Sequence, residues 1–349
     1  MPDKKIRVLV VDDSALMRKK ISDIINSDEE CEVIATARNG EEAVKSISVL
    51  KPDVVTLDLE LPQMDGITAL KYIMSEWPVP VVIVTGFTNY AGEETIKCLE
   101  YGAVDVVIKP SGVISLDMDK VKDELRLKVK MASKVNPGIL RPLLMGRMPL
   151  QKKREGLTTN KLVAIASSTG GPRALVEVLP KLEPDIPAGI VVIQHMPEGF
   201  TRSMAERLNW ESRITVKEAQ DSEPIKQGKV LIAPGGFHLT VESQGKDGEV
   251  VKLQKGPKEH GVCPSADITM KSAARLYGKN CLGVILTGMG SDGVEGLRAI
   301  KQSGGHVLAQ DQSTSIVYGM PKSAFDAGVV DKVLPLPEIP GEITRWAKG

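Results

Sequence analysis

Ile6-Arg7-Val8-Leu9-Val10-Val11-Asp12-Asp13-Ser14 is an apolar, β-branched run that ends abruptly in two carboxylates and a hydroxyl. Six residues, all but Arg7 apolar, bounded by polar ones predict a buried strand, and the helical spacing of Met17, Ile21, Ile24 and Ile25 behind them predicts a helix packed on it. The unit then repeats. Strands are predicted at Val33–Ala37, Val54–Leu57, Val81–Val84 and Val104–Ile108, with helices at Glu41–Leu50 and Ala69–Glu76. A closing helix carries Val121, Leu125 and Val129 on one stripe. Strands alternating with helices imply a parallel sheet covered on both faces, a doubly wound α/β domain over residues 1–132.

A second series starts at Lys161. Strands are predicted at Leu162–Ala166, Gly189–Gln194, Val230–Ala233, Leu239–Glu242, Val250–Leu253, Cys281–Thr287 and His306–Ala309. Helices are predicted at Pro172–Leu182, Thr201–Leu208, Ser265–Leu276 and Gly293–Gln302. This too reads as a doubly wound, Rossmann-like α/β domain, over residues 160–349, with an added β-hairpin turning near Gly245–Gly248. Between the two, Pro137, Gly138, Pro142, Gly146 and Pro149 break any helix, and Lys152-Lys153-Arg154 is a basic run beside Gly156. Residues 133–159 therefore read as a linker.

The chain has 349 residues, more than the roughly 250 that one core usually supports. Lys+Arg and Asp+Glu both number 45, so bulk charge gives no attraction to nucleic acid or to anionic lipid. No segment approaches the roughly 18 apolar residues of a membrane span, and the start of the chain lacks the apolar stretch of a signal peptide. Cys31, Cys98, Cys263 and Cys281 include no C-x-x-C pair, and four in this length make no disulfide scaffold. They read as structural thiols in a reducing cytoplasm.

Sites in open α/β sheets lie outside the carboxyl ends of the strands. In the first domain those ends carry Asp12-Asp13-Ser14, Asp58, Thr85 and Lys109-Pro110. Carboxylates so clustered repel one another unless a cation joins them, and Mg²⁺ suits a few carboxylates, waters and phosphate oxygens. With the ammonium it can neutralise a transferring phosphoryl group while a carboxylate acts as nucleophile. V-D-D-S, L-D-L-E-L-P followed by M-D-G, V-T-G and K-P together resemble a flavodoxin-like response-regulator receiver domain over about residues 4–130. The resemblance implies that Asp58 is the phosphoacceptor. It implies that Asp12, Asp13, Asp58 and the Glu60 carbonyl hold Mg²⁺, and that Thr85 and Lys109 bind the phosphoryl group. It departs at Val106-Val107, where many receivers carry an aromatic residue.

In the second domain Leu162-Val163-Ala164-Ile165-Ala166-Ser167-Ser168-Thr169-Gly170-Gly171-Pro172 reads as strand, small-residue turn and helix start. A serine there can project above the sheet edge, and N–H groups of the helix start can meet an oxyanion. Helix capping and phosphate binding are competing readings of the same turn, which matches neither G-x-S-x-G nor G-x-G-x-x-G. Two further strand ends carry His195 and Asp292. Ser168, His195 and Asp292 would give nucleophile, base and orienting acid on one rim. The remaining histidines, His238, His260 and His306, read as structural or solvated, with the first two able to shape a groove.

I-A-S-S-T-G-G-P, Q-H-M-P-E-G-F-T, L-T-G-M-G-S-D-G and A-Q-D-Q-S-T-S-I-V-Y-G-M-P resemble the catalytic domain of the chemotaxis methylesterase (CheB) family over about residues 160–345. The resemblance implies that Ser168, before Thr-Gly-Gly, is the nucleophile rather than Ser167, with His195 as base and Asp292 as its partner. It implies that Met289 N–H stands in the oxyanion hole, where the helix-start position adds Thr169 N–H as an expectation. The implied activity is demethylation of glutamate methyl esters on chemoreceptors, with deamidation of glutamines by the same chemistry and no cofactor for hydrolysis. A chemotaxis histidine kinase would be the phosphodonor. Two other readings stay open: a receiver fused to a nucleotide-binding oxidoreductase module, and a signalling scaffold without catalysis.

Overall fold

The computed structural model describes residues 4–86, 91–110, 117–140, 156–245 and 248–349. They divide into two compact units, within Met1–Met145 and within Gly146–Gly349. No helix among the described residues is long and apolar enough to cross a membrane.

The first unit alternates β1 (Ile6–Val11), α1 (Ala15–Asn26), β2 (Cys31–Ala37), α2 (Gly40–Leu50), β3 (Val54–Leu57), α3 (Gly66–Glu76), β4 (Val81–Gly86), α4 (Ala91–Glu100), β5 (Asp105–Lys109) and α5 (Lys122–Ala132). The sheet order is β2-β1-β3-β4-β5, with every pair parallel. Val8, Leu9, Val10, Val54, Val55, Val81, Val82 and Ile83 have no exposed surface, as strands covered on both faces require. Short polar side chains start the helices. Ser14, Asn39 and Asp65 accept from the N–H groups of Met17, Glu42 and Thr68. The glycine of M-D-G has a steric cause: a Cβ on Gly66 would lie 2.2 Å from the Asp58 carbonyl oxygen. The chain turns back from β2 to β3 on the other side of β1, and ligand sites form at such a reversal.

The segment expected to be linker is packed at both described ends. Val135 and Leu140 are buried, while Thr158 bridges Lys226 and Thr159 is buried. The break at Pro137 makes a tight turn there rather than a free chain. Pro142, Gly146, Pro149 and the basic run Lys152-Lys153-Arg154 lie outside the described residues.

The second unit contains β6 (Leu162–Ser167), α6 (Gly171–Val178), β7 (Gly189–Gln194), α7 (Phe200–Glu211), β8 (Thr215–Glu218), β9 (Glu223–Pro224), β10 (Lys229–Ile232), β11 (His238–Ser243) and β12 (Glu249–Gln254). It continues with α8 (Ala266–Tyr277), β13 (Cys281–Ile285), α9 (Val294–Gln302), β14 (His306–Gln310), α10 (Met320–Asp326), β15 (Lys332–Leu334) and α11 (Ile339–Lys348). The large sheet runs β15-β14-β13-β6-β7-β10-β8 with parallel pairing. The expected hairpin is β11–β12, extended by β9 into a three-stranded antiparallel sheet; positions 246–247 of its turn lie outside the described residues. α6 stops at Val178 rather than Leu182, because Pro180 cannot donate to a continuing helix. The order places β6 at the centre with β7 on one side and β13 on the other. Loops leaving three neighbouring strands therefore share one rim.

Candidate active site

In the first unit Lys109, fully buried, ends β5 and points its Nζ between two carboxylates, 2.8 Å from Asp12 Oδ2 and 2.5 Å from Asp58 Oδ2. Asp12 Oδ1 accepts from Ser14 N–H at 2.9 Å and Asp58 Oδ1 from Leu59 N–H at 2.7 Å. Asp13 is exposed, and one oxygen from each of Asp12, Asp13 and Asp58 lies within 4.8 Å of the others. Burial pushes the Asp58 carboxyl up to about 6 against the pull of Lys109, with Asp12 adding to the rise. Burial would lower Lys109, but the two carboxylates outweigh it and hold the ammonium above its ordinary value. Both shifts report a pocket short of positive charge. Three hard carboxylate oxygens beside a single ammonium fit a divalent cation such as Mg²⁺. Thr85, buried, is the penultimate residue of β4 beside β5, and Glu60 is an exposed residue two positions past Asp58.

The second site is built on the rim of β13, β6 and β7. His195 N–H donates to the Ser167 carbonyl at 3.0 Å and Ser168 N–H to the Thr287 carbonyl at 3.1 Å, so all three loops leave the sheet stitched together. The approach is close enough that a Cβ on Gly288 would meet the Ser168 Cβ at 2.8 Å, which explains the glycine after Thr287. His195 Nε2 lies 2.7 Å from Asp292 Oδ2. Asp292, 3% exposed, also accepts from Ser265 Oγ (2.8 Å), Ala266 N–H (2.7 Å) and Asp267 N–H (3.1 Å). Burial would raise this carboxyl, but the His195 hydrogen bond and the backbone donors at the start of α8 outweigh it, and it is held below the ordinary carboxylate range. An ionised Asp292 keeps the proton on Nε2 and leaves Nδ1 as the basic nitrogen.

The two serines differ sharply. Ser167 is fully buried and donates its hydroxyl to Gln194 Oε1 at 2.7 Å, whereas Ser168 is half-buried at the rim. Gln194 Nε2 in turn donates to the carbonyls of Ser168 (2.9 Å) and His195 (3.1 Å). Met289 is half-buried and Thr169 buried at the same rim. The loop carrying Met289 is pinned because the Gly288 carbonyl accepts from Gly319 and Met320 N–H, and Gly288 N–H donates to the Val317 carbonyl. Thr287 Oγ1 reaches the Thr169 carbonyl at 3.0 Å, and Thr287 N–H donates to Gln310 Oε1 at 2.7 Å.

Gln194, Ser265, Thr287 and Gln310 were not anticipated from sequence. The available signal was a polar residue closing an apolar strand run, as Gln194 and Gln310 close β7 and β14. Among the other histidines, His238 is buried with Nε2 on the Pro257 carbonyl, His306 is exposed, and His260 faces Asp267. Burial pushes the Cys98 and Cys281 thiols up to about 12 and Cys31 up to about 11, so these are inert packing groups.

Comparison with known proteins bears on both units. The CheB methylesterase family matches residues 163–343 and the response regulator receiver domain matches residues 8–118. The chain belongs to the CheB methylesterase family. A protein-glutamate methylesterase/protein-glutamine glutaminase of Pyrococcus abyssi is 48% identical over 345 residues, 98% of this chain and 94% of that protein. One of the same description from Archaeoglobus fulgidus is 45% identical over 344 residues, 98% of each chain. The crystal structure of the Thermotoga maritima CheB methylesterase catalytic domain is similar at 46% identity and a TM-score of 0.53, over 54% of this chain and 99% of that one. The chain is thus a response regulator in which an α/β receiver domain accompanies an α/β methylesterase domain.

Proposed function

We propose that this CheB family member is a phosphorylation-regulated serine hydrolase that removes methyl groups from glutamate methyl esters on chemoreceptors. The observation that carries the reading is the 2.7 Å pair of His195 and Asp292 on the rim that holds the half-buried Ser168, while Ser167 is committed to Gln194. Ser168 Oγ attacks the ester carbonyl carbon as its proton passes to His195 Nδ1. Met289 N–H and Thr169 N–H meet the oxyanion, and Asp292 stabilises the imidazolium. Collapse breaks the carbon–methoxy bond, and His195 returns the proton to release methanol. Water then attacks the acyl-enzyme with His195 again as base, the bond from the acyl carbon to Ser168 Oγ breaks as His195 returns the proton to that oxygen, and the glutamate product leaves and ionises to its carboxylate. A glutamine side chain follows the same route with ammonia as the leaving group, in keeping with the relatives' description as glutaminases.

The receiver supplies the regulation. Asp58 Oδ attacks the phosphorus of the phosphohistidine of a chemotaxis histidine kinase, the P–N bond breaks so that the kinase imidazole leaves, and Lys109 and Thr85 hold the transferred oxygens. Asp12, Asp13, Asp58 and the Glu60 carbonyl would hold Mg²⁺, which supplies neutralising charge when bound. Phosphorylation then shifts an equilibrium in which the receiver restrains the esterase. The cytoplasm suits both partners. Mass spectrometry of methylated receptor peptides tests the reading: each modified glutamate should lose its methyl group only with Ser168 intact, and receptors left methylated would refute it.

A further inference from the structure

Asp292 stands before α9 and caps α8, because it accepts from Ala266 and Asp267 N–H in the first turn of that helix while the local cap residue Ser265 makes no side-chain cap of its own. The favour is returned. Asp267, 1% exposed, accepts Gly296 N–H at 2.7 Å in the first turn of α9. The two helices are thus capped by each other's carboxylates, and Asp292 and Asp267 present oxygens within 4.8 Å of one another. Two buried carboxylates at this range repel unless something balances one of them. Asp292 has His195. Asp267 has His260, whose Nε2 is 3.2 Å from Asp267 Oδ2.

His260 is held there at a conformational cost. Its φ is +51°, in the left-handed region that L residues rarely adopt, and with Gly261 at +79° it forms the two-residue turn closing the bridge of Glu259 with Val262. His238, from β11, tethers the same loop through the Pro257 carbonyl at 2.9 Å. The charged groups bearing on the pair are Asp292 and Lys271 around Asp267, and the exposed Lys258 and Glu259 on the turn itself.

We infer that His260 and Asp267 are positioning residues for the reaction: a second imidazole–carboxylate pair that stands behind Asp292, fixes its orientation through the reciprocal caps, and keeps an unbalanced negative charge away from His195. Both act through Asp292 and neither touches substrate. The inference rests on the reading of Ser168, His195 and Asp292 as the catalytic groups. Burial and Asp292 push the Asp267 carboxyl up while His260 opposes that rise; the negative charge that Asp267 carries without the imidazole would stabilise the His195 imidazolium, and the base would be available only at higher pH.

The test is the pH profile of kcat/KM for methanol release from methylated receptor membranes by the full chain, with phosphodonor and Mg²⁺ throughout. His260→Asn keeps the turn, since asparagine tolerates left-handed backbone, and should move the acid limb upward by about half a unit to one unit. Asp267→Asn keeps an acceptor for Gly296 N–H, and the double variant His260→Asn/Asp267→Asn should return the limb to the wild-type position. An unmoved limb in His260→Asn, or a double variant that keeps the shift, would overturn the proposal. Ser168→Ala, run beside them, separates the two levels: its loss of activity with an unmoved limb in His260→Asn removes only the second pair, and its retention of activity removes the catalytic reading itself.

Discussion

The carboxylates of the receiver pocket and of the esterase rim occupy equivalent places, at the carboxyl edge of a parallel sheet where the strand order reverses. Their surroundings differ. Asp12 and Asp58 converge on one ammonium, and Asp58 is pushed up to about 6. Asp292 collects four donors, from His195, Ser265, Ala266 and Asp267, and is held below its ordinary range. In the proposed reading, the receiver pocket is completed by something that arrives, a cation and then a phosphoryl group. The esterase carboxylate is completed by the fold itself, ready before substrate binds. A switch needs the first arrangement and a catalyst needs the second.

The largest effect should come from breaking the preorganised site. Ser168→Ala should reduce methanol release by roughly a thousandfold or more, because nucleophile, base and orienting acid act as a unit. Ser167→Ala should instead cost about 1 kcal/mol of stability, the loss of its buried hydrogen bond to Gln194, with catalysis retained. Reversal of those two outcomes in a methanol assay would move the nucleophile by one residue. Asp292→Asn should follow, with a loss on the order of a hundredfold to a thousandfold in kcat and little change in KM. The amide can favour the wrong imidazole tautomer and weakens the cap on α8. Near-normal turnover by folded Asp292→Asn would remove it from the site.

The receiver should respond differently. Lys109→Ala leaves two buried carboxylates unbalanced and should destabilise the receiver by about 3 kcal/mol in chelator. Added Mg²⁺ should recover part of that loss in a thermal melt, and a melt indifferent to Mg²⁺ would contradict a cation site. The smallest effect concerns Asp58 alone. Its folded value is raised from 3.8 to about 6, so the folded state holds the proton more tightly than the unfolded chain. That stabilising contribution is full below the ordinary carboxylate value and is lost as pH climbs through about 6. In chelator, Asp58→Asn should therefore gain stability relative to the native chain as pH rises through this window, and Mg²⁺ should narrow the gap. The same variant should lose activation by a small-molecule phosphodonor.

The same contrast explains what could be read in the sequence. Long apolar runs such as Ile6–Val11 and Gly189–Gln194 announce buried strands, and the polar residues closing them announce the rims, so Asp12, Asp58, Lys109, Ser168 and His195 stood out. β8, β9 and β15 were not anticipated because two to four residues at a sheet edge carry too little periodicity to register. The caps on Asp292 were illegible for another reason. Three of its donors come from Ser265, Ala266 and Asp267, some 25 positions away in sequence, and two of them are backbone N–H groups that no residue type advertises. Residue identity thus marked the side chains proposed to do chemistry, while the partners that hold them emerged only from packing.

The central claim is that the rim of Ser168, His195 and Asp292 cleaves receptor methyl esters under control of Asp58. Methanol release from methylated receptor membranes tests it most directly, measured with the native chain, Ser168→Ala and Asp58→Asn, each with and without phosphodonor and Mg²⁺. The account predicts release that depends on Ser168 and rises with phosphodonor only when Asp58 is present. Release that persists in Ser168→Ala, or that rises equally in Asp58→Asn, would contradict it.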